Sequence, residues 1–278
     1  MSTRIKDRLL YIIICAISFI TLGILVWIMA YIITKGLPYI SWEFLTTDYR
    51  GDREGILPSI VTTLYLIIIS LSISTPIGIG TAIYLVEYSK PGKTIDVIRF
   101  AIVTLAGIPS IIYGLFGYMF FVIALNYGNS FLAGGMTISI MVLPTIIRTT
   151  EEALKAVPKS FREGSLALGA TKLTTIIKIV LPSAIPGILA AIILSIGRIV
   201  GETAVLIFTL GTATGFPTSI MDSARTLSVH LYMLAKEGLS FEQAFATATV
   251  LLIITAFINF ISSKIALNIK RFAMGSKN

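Results

Sequence analysis

Residues Phe100 to Ile147 read FAIVTLAGIPSIIYGLFGYMFFVIALNYGNSFLAGGMTISIMVLPTII, a run without one charged side chain. A bilayer is crossed by roughly 20 apolar residues at about 1.5 Å each, so the run is long enough to cross twice. It divides at Asn126-Tyr-Gly-Asn-Ser130 and again at Gly134-Gly135, a turn-rich cluster. Phe100–Leu125 is therefore expected as one span, and Met136–Ile147 opens the next. Four more apolar stretches flank this pair: Leu9–Ile33, Ile56–Val86 with Pro76 inside it, about Ser183–Thr209 and about Ala244–Leu267. The expected fold is all-α, a polytopic membrane protein with six transmembrane helices.

Composition agrees. Hydrophobic residues make up 55% and charged residues 13% of the 278, where soluble domains carry about 25% charged. An ordinary soluble domain, a collagen-like chain and a disordered chain are excluded. One cysteine, Cys15, and one histidine, His230, rule out an intrachain disulfide, a cysteine cluster and a multi-histidine metal site. The first apolar stretch follows Arg4, Lys6 and Arg8. It is too long for a signal peptide and no small-x-small cleavage site follows, so it reads as a retained anchor.

Orientation follows from the basic residues. With the N-terminus in the cytoplasm, sixteen Lys and Arg fall on inner segments and five on outer ones, and Arg198 remains inside the fifth span. Both termini are therefore expected in the cytoplasm of a multi-pass plasma-membrane protein. The net charge of +8 is accounted for by cations facing the anionic leaflet; it implies membrane lipid as a partner and no nucleic acid.

The segment Arg148–Leu181 is the one large cytoplasmic stretch. Thr149–Val157 is expected to extend the fourth helix until Pro158 stops it. Lys159–Leu168 reads as a short helix closed by Gly169. Thr171–Val180 begins another, with Leu173, Ile176, Ile177 and Val180 at helical spacing. Two short helices meeting at a glycine form a knob that either lies on lipid or docks on a partner; periodicity does not choose between them. A phosphate-binding loop is absent: Gly92-Lys93-Thr94 supplies half of one, but Glu87 stands where the first glycine belongs, and Pro91 lacks an amide. No zinc-protease or nucleophile-elbow motif occurs. The chain is not expected to be an enzyme or to carry a cofactor.

Glu163-Gly164-Ser165, three residues, Gly169, nine residues and Ile179-x-Leu181-Pro182 resemble the EAA loop of ABC-importer permeases, with Gly164-Ser165 in place of two alanines. Both replacements are small, so tight packing of the short helix is expected to survive. The resemblance implies the type I ABC importer (MetI-like) fold and a single permease domain over 1–278, with its core at about 56–267 and its coupling loop at about 151–182. It also implies that Glu163, Gly164, Ser165, Leu166, Ala167, Leu168 and Gly169 form a coupling helix that docks on a separate ATPase subunit.

Arg198-Ile-Val-Gly-Glu202 lies within the fifth span. Arg198 is about 24 Å along a helix from Pro182, deep in the bilayer, where charges mark pathways and sites. Four residues apart, Arg198 and Glu202 are expected on one helix face, within pairing distance. One reading is a self-neutralising pair that locks two helices. The other is an anion site, in which the guanidinium fork grips an oxyanion. In it, Glu202 accepts a hydrogen bond from a protonated oxyanion such as phosphate and repels sulfate, which has no proton to give.

Five stretches together resemble the PstA-type permeases of phosphate-specific ABC importers: Gly55-Ile-Leu-Pro-Ser-Ile-Val-Thr-Thr-Leu64, Ala82-Ile-Tyr-Leu-Val-Glu-Tyr88, Gly107-Ile-Pro-Ser-Ile-Ile-Tyr-Gly-Leu-Phe-Gly117, Leu143-Pro-Thr-Ile-Ile-Arg-Thr-Thr-Glu-Glu-Ala-Leu154 and Gly197-Arg-Ile-Val-Gly-Glu-Thr-Ala204. The sister PstC-type subunits are similar in the last. This resemblance implies half of a pathway for inorganic phosphate, with Arg198, Glu202 and Thr203 along it. The implied partners are a PstC-like permease, two PstB-like ATPases and an extracytoplasmic PstS-like binding protein. Rival readings are a permease for molybdate or sulfate and, in another class, an ATP-independent ion channel or exchanger, which has no use for an EAA loop.

Overall fold

The computed structural model describes residues 3–50 and 53–273; Lys277, one of the basic residues counted for orientation, lies outside them. Apart from loops, the described residues are helical, with one two-residue antiparallel ladder, Tyr49–Arg50 against Arg53–Glu54. The helices are α1 (Thr3–Gly36), α2 (Trp42–Thr46), α3 (Leu57–Ile83), α4 (Lys93–Ala106), α5 (Ser110–Gly117), α6 (Phe131–Lys155), α7 (Lys159–Ala167), α8 (Lys172–Thr175), α9 (Leu181–Val200), α10 (Ala204–Thr209), α11 (Leu227–Glu237) and α12 (Phe241–Ala273). Three π-helical turns extend or join them: Tyr84–Tyr88 after α3, Tyr118–Ala124 after α5, and Ile176–Val180 between α8 and α9.

Five of the resulting rods are long and apolar enough to cross a membrane, and α4 with α5 makes a sixth when the bent pair counts as one span. Helices are what such sequence must form, because a lipid-facing backbone has only itself to bond with. The centre is α3 against α6, where small and hydroxyl side chains let the backbones approach. Ser139 Oγ donates to the carbonyls of Gly135 (2.6 Å) and Ser70 (3.2 Å), and Ser70 Oγ to Gly135 O (3.4 Å). Ile138, Met141, Val142 and Ile146 of α6 are buried there with Leu66, Ile199 and Leu206. Helix α1 sits outside this core, with its apolar face exposed. It is tied to α12 by Thr249 Oγ1 donating to Ile32 O (3.2 Å) and by the Tyr31–Phe245 edge-to-face contact.

Three expected spans differ from the sequence reading. The fourth starts at Phe131 and not at Met136, so Gly134 and Gly135 lie buried inside α6 and do not form a turn. The third is not straight: α4 and α5 meet at 101°. Pro109 has no N–H and disfavours helical backbone at Ile108, and Tyr113 Oη pins the corner by donating to Leu105 O (2.7 Å). The fifth begins and ends earlier than expected. It runs unbroken from Lys172 to Val200, so the second short helix of the knob is the foot of this span. Pro182 stands in the first turn of α9, where a missing N–H costs little, and the π turn before it accommodates the ring. The rod stops at Gly201, and α10 is a separate helix.

The chain between α10 and α11 folds back over the start of α6. Phe131 N donates to Asp222 O (3.0 Å), Leu132 N to Ile220 O (2.9 Å) and Ser130 N to Thr209 O (3.0 Å). At the other end of α6 gather the knob and the charges Glu87, Arg99, Glu151, Lys155 and Arg162.

Candidate functional site

Arg198 occupies the last turn of α9 and is half-buried. Its Nη1 donates to Thr145 Oγ1 at 3.4 Å. Thr145 stands near the middle of α6 (Phe131–Lys155), so the guanidinium lies beside the middle of that helix. Among the described residues no carboxylate lies within ion-pair distance of Arg198.

The expected Arg198–Glu202 pairing does not form, and the reason is the end of the helix. The i,i+4 rule holds only while the rod continues, and it stops at Gly201. Glu202 is buried beyond the break and turns to the next helix, where its Oε1 accepts from Val205 N (3.1 Å). It thereby satisfies an orphan amide of the first turn of α10 and places a negative charge where the helix dipole favours one. Its backbone carbonyl accepts from Ser228 Oγ of α11 (2.6 Å). Thr203, half-buried, is the residue from which α10 starts. The three candidates therefore share one break, with Arg198 on one side and the other two shaping its exit.

Close packing holds α10 in place. A Cβ on Gly114 would stand 3.0 Å from Val205 Cα, and one on Gly117 would collide with Thr137 and come within 2.8 Å of Thr209 Cγ2. These glycines let α5 seat against α10, as the glycine-rich sequence suggested. Sequence reasoning missed Thr145 as a neighbour of Arg198, although it lies in the Leu143-Pro-Thr stretch.

At the basic end, α7 closes at Gly169 in a Schellman arrangement. Ala170 N donates to Ser165 O (3.2 Å) and Gly169 N to Leu166 O (2.9 Å), with φ +84 at Gly169. Thr171 then caps α8 by accepting from Thr174 N (3.2 Å). Of the seven residues expected to couple, Ser165 is buried, sharing a 2.9 Å hydrogen bond with Thr175 Oγ1. Glu163, Gly164, Leu166, Ala167, Leu168 and Gly169 are exposed. Gly164 is not a packing glycine, because a Cβ there would meet nothing within 4 Å. Leu168 is 91% exposed, with Phe161 and Leu166 beside it.

Arg162, one residue before this motif, anchors the knob. Its Nε and Nη2 donate to Glu87 Oε1 (3.0 and 2.8 Å), its Nη1 to Val157 O (2.7 Å) and its Nη2 also to Leu154 O (2.8 Å). Beside it, Glu151 accepts from Arg99 and pairs with Lys155, each at 3.0 Å.

A helix break flanked by Arg198, with no carboxylate in ion-pair distance among the described residues, and an exposed knob at the basic end are compatible with a transport permease. Residues 74–271 match the family described as "Binding-protein-dependent transport system inner membrane component", and the chain belongs to that family. Among its relatives, a "Probable ABC transporter permease protein YqgI" of Bacillus subtilis (strain 168) is 33% identical over 86% of each chain. A "Phosphate transport system permease protein PstA" of Mycobacterium leprae (strain TN) is 31% identical over 92% of this chain and 87% of its own. The fold is shared with a permease chain of a bacterial alginate ABC transporter, at TM-score 0.72 and 16% identity over 96% of each chain.

Proposed function

We propose that this chain is the PstA-type subunit of an ABC importer for inorganic phosphate and that it forms half of the translocation pathway as a single permease domain. The observation that carries the substrate class is Arg198: a half-buried guanidinium beside the middle of α6 with, among the described residues, no carboxylate in ion-pair distance. A lone buried cation is costly unless an anion completes it, and the planar fork suits a tetrahedral oxyanion. The names of the relatives narrow the anion to phosphate. In this reading Arg198 contacts the anion, Glu202 holds the start of α10, and Thr203 offers a hydroxyl at the break.

The basic end faces the cytoplasm, with both termini on that side, in keeping with the sixteen inner cations against five outer ones. The exposed apolar tip of α7 docks into an ATPase subunit, and Glu163–Gly169 forms the coupling segment. A PstC-like permease completes the pathway, two PstB-like subunits hydrolyse ATP, and a PstS-like protein delivers phosphate from outside. Closure of the ATPases moves the two knobs, and the pathway past Arg198 changes the side to which it opens.

The test is uptake of radiolabelled phosphate in a strain lacking other phosphate importers, with membrane abundance measured for each variant. Arg198→Gln and Arg198→Lys are expected to lose uptake, the latter because an ammonium does not reproduce the fork. The double change Arg198→Gln with Glu202→Gln should fail as well, since the two are not a pair. Full uptake by the double variant would overturn the anion contact. Absence of phosphate uptake by the wild type, with uptake of radiolabelled sulfate or molybdate in its place, would overturn the substrate.

A further inference from the structure

We infer that Glu87 and Arg162 are positioning residues for transport, joining the knob to the foot of α3 so that displacement of α7 is delivered to α3 and α6 together. The inference rests on the coupling role proposed above for α7 and deepens it.

The Arg162 guanidinium touches three elements at once. Two of its nitrogens hold Glu87 on the π turn that ends α3, and two reach the carbonyls of Leu154 and Val157. Those carbonyls belong to the last turn of α6 and the residue just past it, where the helix leaves acceptors unsatisfied. Both side chains are largely withdrawn from solvent, 19% exposed for Arg162 and 9% for Glu87. A pair so placed resists separation, because removing one partner strands the other charge. The surrounding ion pairs differ. Lys155 is nearly half exposed and lies within α6 together with its partners Glu151 and Glu152, and the Arg99–Glu151 pair joins α4 to α6, so neither includes a residue of the knob.

A second contact falls on the same turn. Lys172, at the start of α8, places its Nζ 4.8 Å above the ring of Tyr88, within reach of a cation–π attraction. The two sides of the Gly169 elbow are thus both attached to Tyr84–Tyr88. A π turn in an otherwise α-helical rod is a site of locally altered register, and here it carries the acid that receives the knob. By contrast, among the described residues nothing covers the outward tip of α7 at Leu166 and Leu168. Force applied to that tip passes to the spans through the inward side, and Arg162 is the charged link there.

The experiment uses the full complex in proteoliposomes, with ATP and radiolabelled inorganic phosphate, and measures phosphate moved per ATP hydrolysed. Glu87→Gln should assemble and keep basal ATP hydrolysis while phosphate moved per ATP falls about tenfold or more; Glu87→Asp should recover part of the loss. A purely structural role would lower assembly or both rates together and leave the ratio unchanged, and that result overturns the inference. The double variant Glu87→Cys with Arg162→Cys, in a Cys15→Ala background, provides a second arm. The two positions line a cleft of about 530 Å³ open to reagents. A short bifunctional thiol crosslinker should restore the ratio, and the unlinked protein should lack it; equal ratios in the two states overturn the link. If the wild-type complex itself moves no phosphate, the proposed substrate fails, and the link is then read from stimulation of ATP hydrolysis by the binding protein, which Glu87→Gln should abolish and an unlinked knob would leave intact.

Discussion

Substituting Gly169 separates a backbone effect from a packing effect at the elbow of the knob. Its φ is +84 and a Cβ there would meet nothing within 4 Å, so the penalty for a side chain is conformational. An L-residue in the left-handed region costs about 1–2 kcal/mol. Asn is more tolerant of that region than Ala, and a β-branched residue less tolerant. Since about 1.4 kcal/mol is a tenfold change in an equilibrium, Gly169→Ala should reduce the bent elbow about tenfold relative to a straightened one. Gly169→Asn should reduce it less and Gly169→Val more. The assay is ATP hydrolysis stimulated by the binding protein in the reconstituted complex, normalised to the ATPase subunit that copurifies. The expected order of coupling is Gly, Asn, Ala, Val. If crowding rather than φ governed the position, Ala would outperform the larger Asn. An Asn variant below Ala, or a Val variant equal to wild type, refutes the elbow.

Three further outcomes are expected. Glu202→Ala should lower thermal stability in detergent by about 1 kcal/mol through loss of the bond to Val205 N, whereas Glu202→Gln, which keeps an acceptor oxygen, should stay within a few tenths; equal losses would contradict the capping role. Gly117→Ala should destabilise by about 1–3 kcal/mol, because the added methyl meets Thr137 and Thr209, and a neutral effect on unfolding would show that α5 has room to move. Burial, aided by the Arg225 charge, lowers the His230 pKa to about 3. The unfolded chain therefore takes up a proton that the folded one refuses, so the stability tied to His230 is complete above pH 6.5 and lost as the pH falls from there toward 3. Melting temperature against pH should show this slope, and His230→Asn should flatten it.

Hydropathy placed the rods because a span is a local property: α1, α3, α6 and α12 each contain an expected apolar stretch. Direction is not local in that sense. The bend between α4 and α5 leaves hydropathy unchanged, and only Pro109 hinted at it. The start of the fifth span was misplaced because Pro182 and Pro186 look like terminators, although a first-turn proline and a preceding π turn cost the rod little. Its end was misplaced for the opposite reason: Gly201 is one small residue among many, and the turn of Glu202 toward Val205 depends on a helix start that periodicity does not mark. Arg198 was legible as a charge where charges are rare, while its neighbour Thr145 comes from another helix. Gly169 was legible because a glycine before a capping threonine ends a helix by local chemistry. The Glu87–Arg162 link, between residues far apart in sequence, had no local signature.

The central claim is that ATP hydrolysis on a partner drives phosphate past Arg198. The direct measurement is accumulation of radiolabelled phosphate inside proteoliposomes that hold this chain with its partner permease and ATPases, with the binding protein on the delivery side and ATP on the other. The account predicts accumulation against a gradient that requires both ATP and the binding protein, and its loss in Arg198→Gln at equal assembly. Phosphate flux that equilibrates without ATP, or undiminished accumulation in Arg198→Gln, would contradict it.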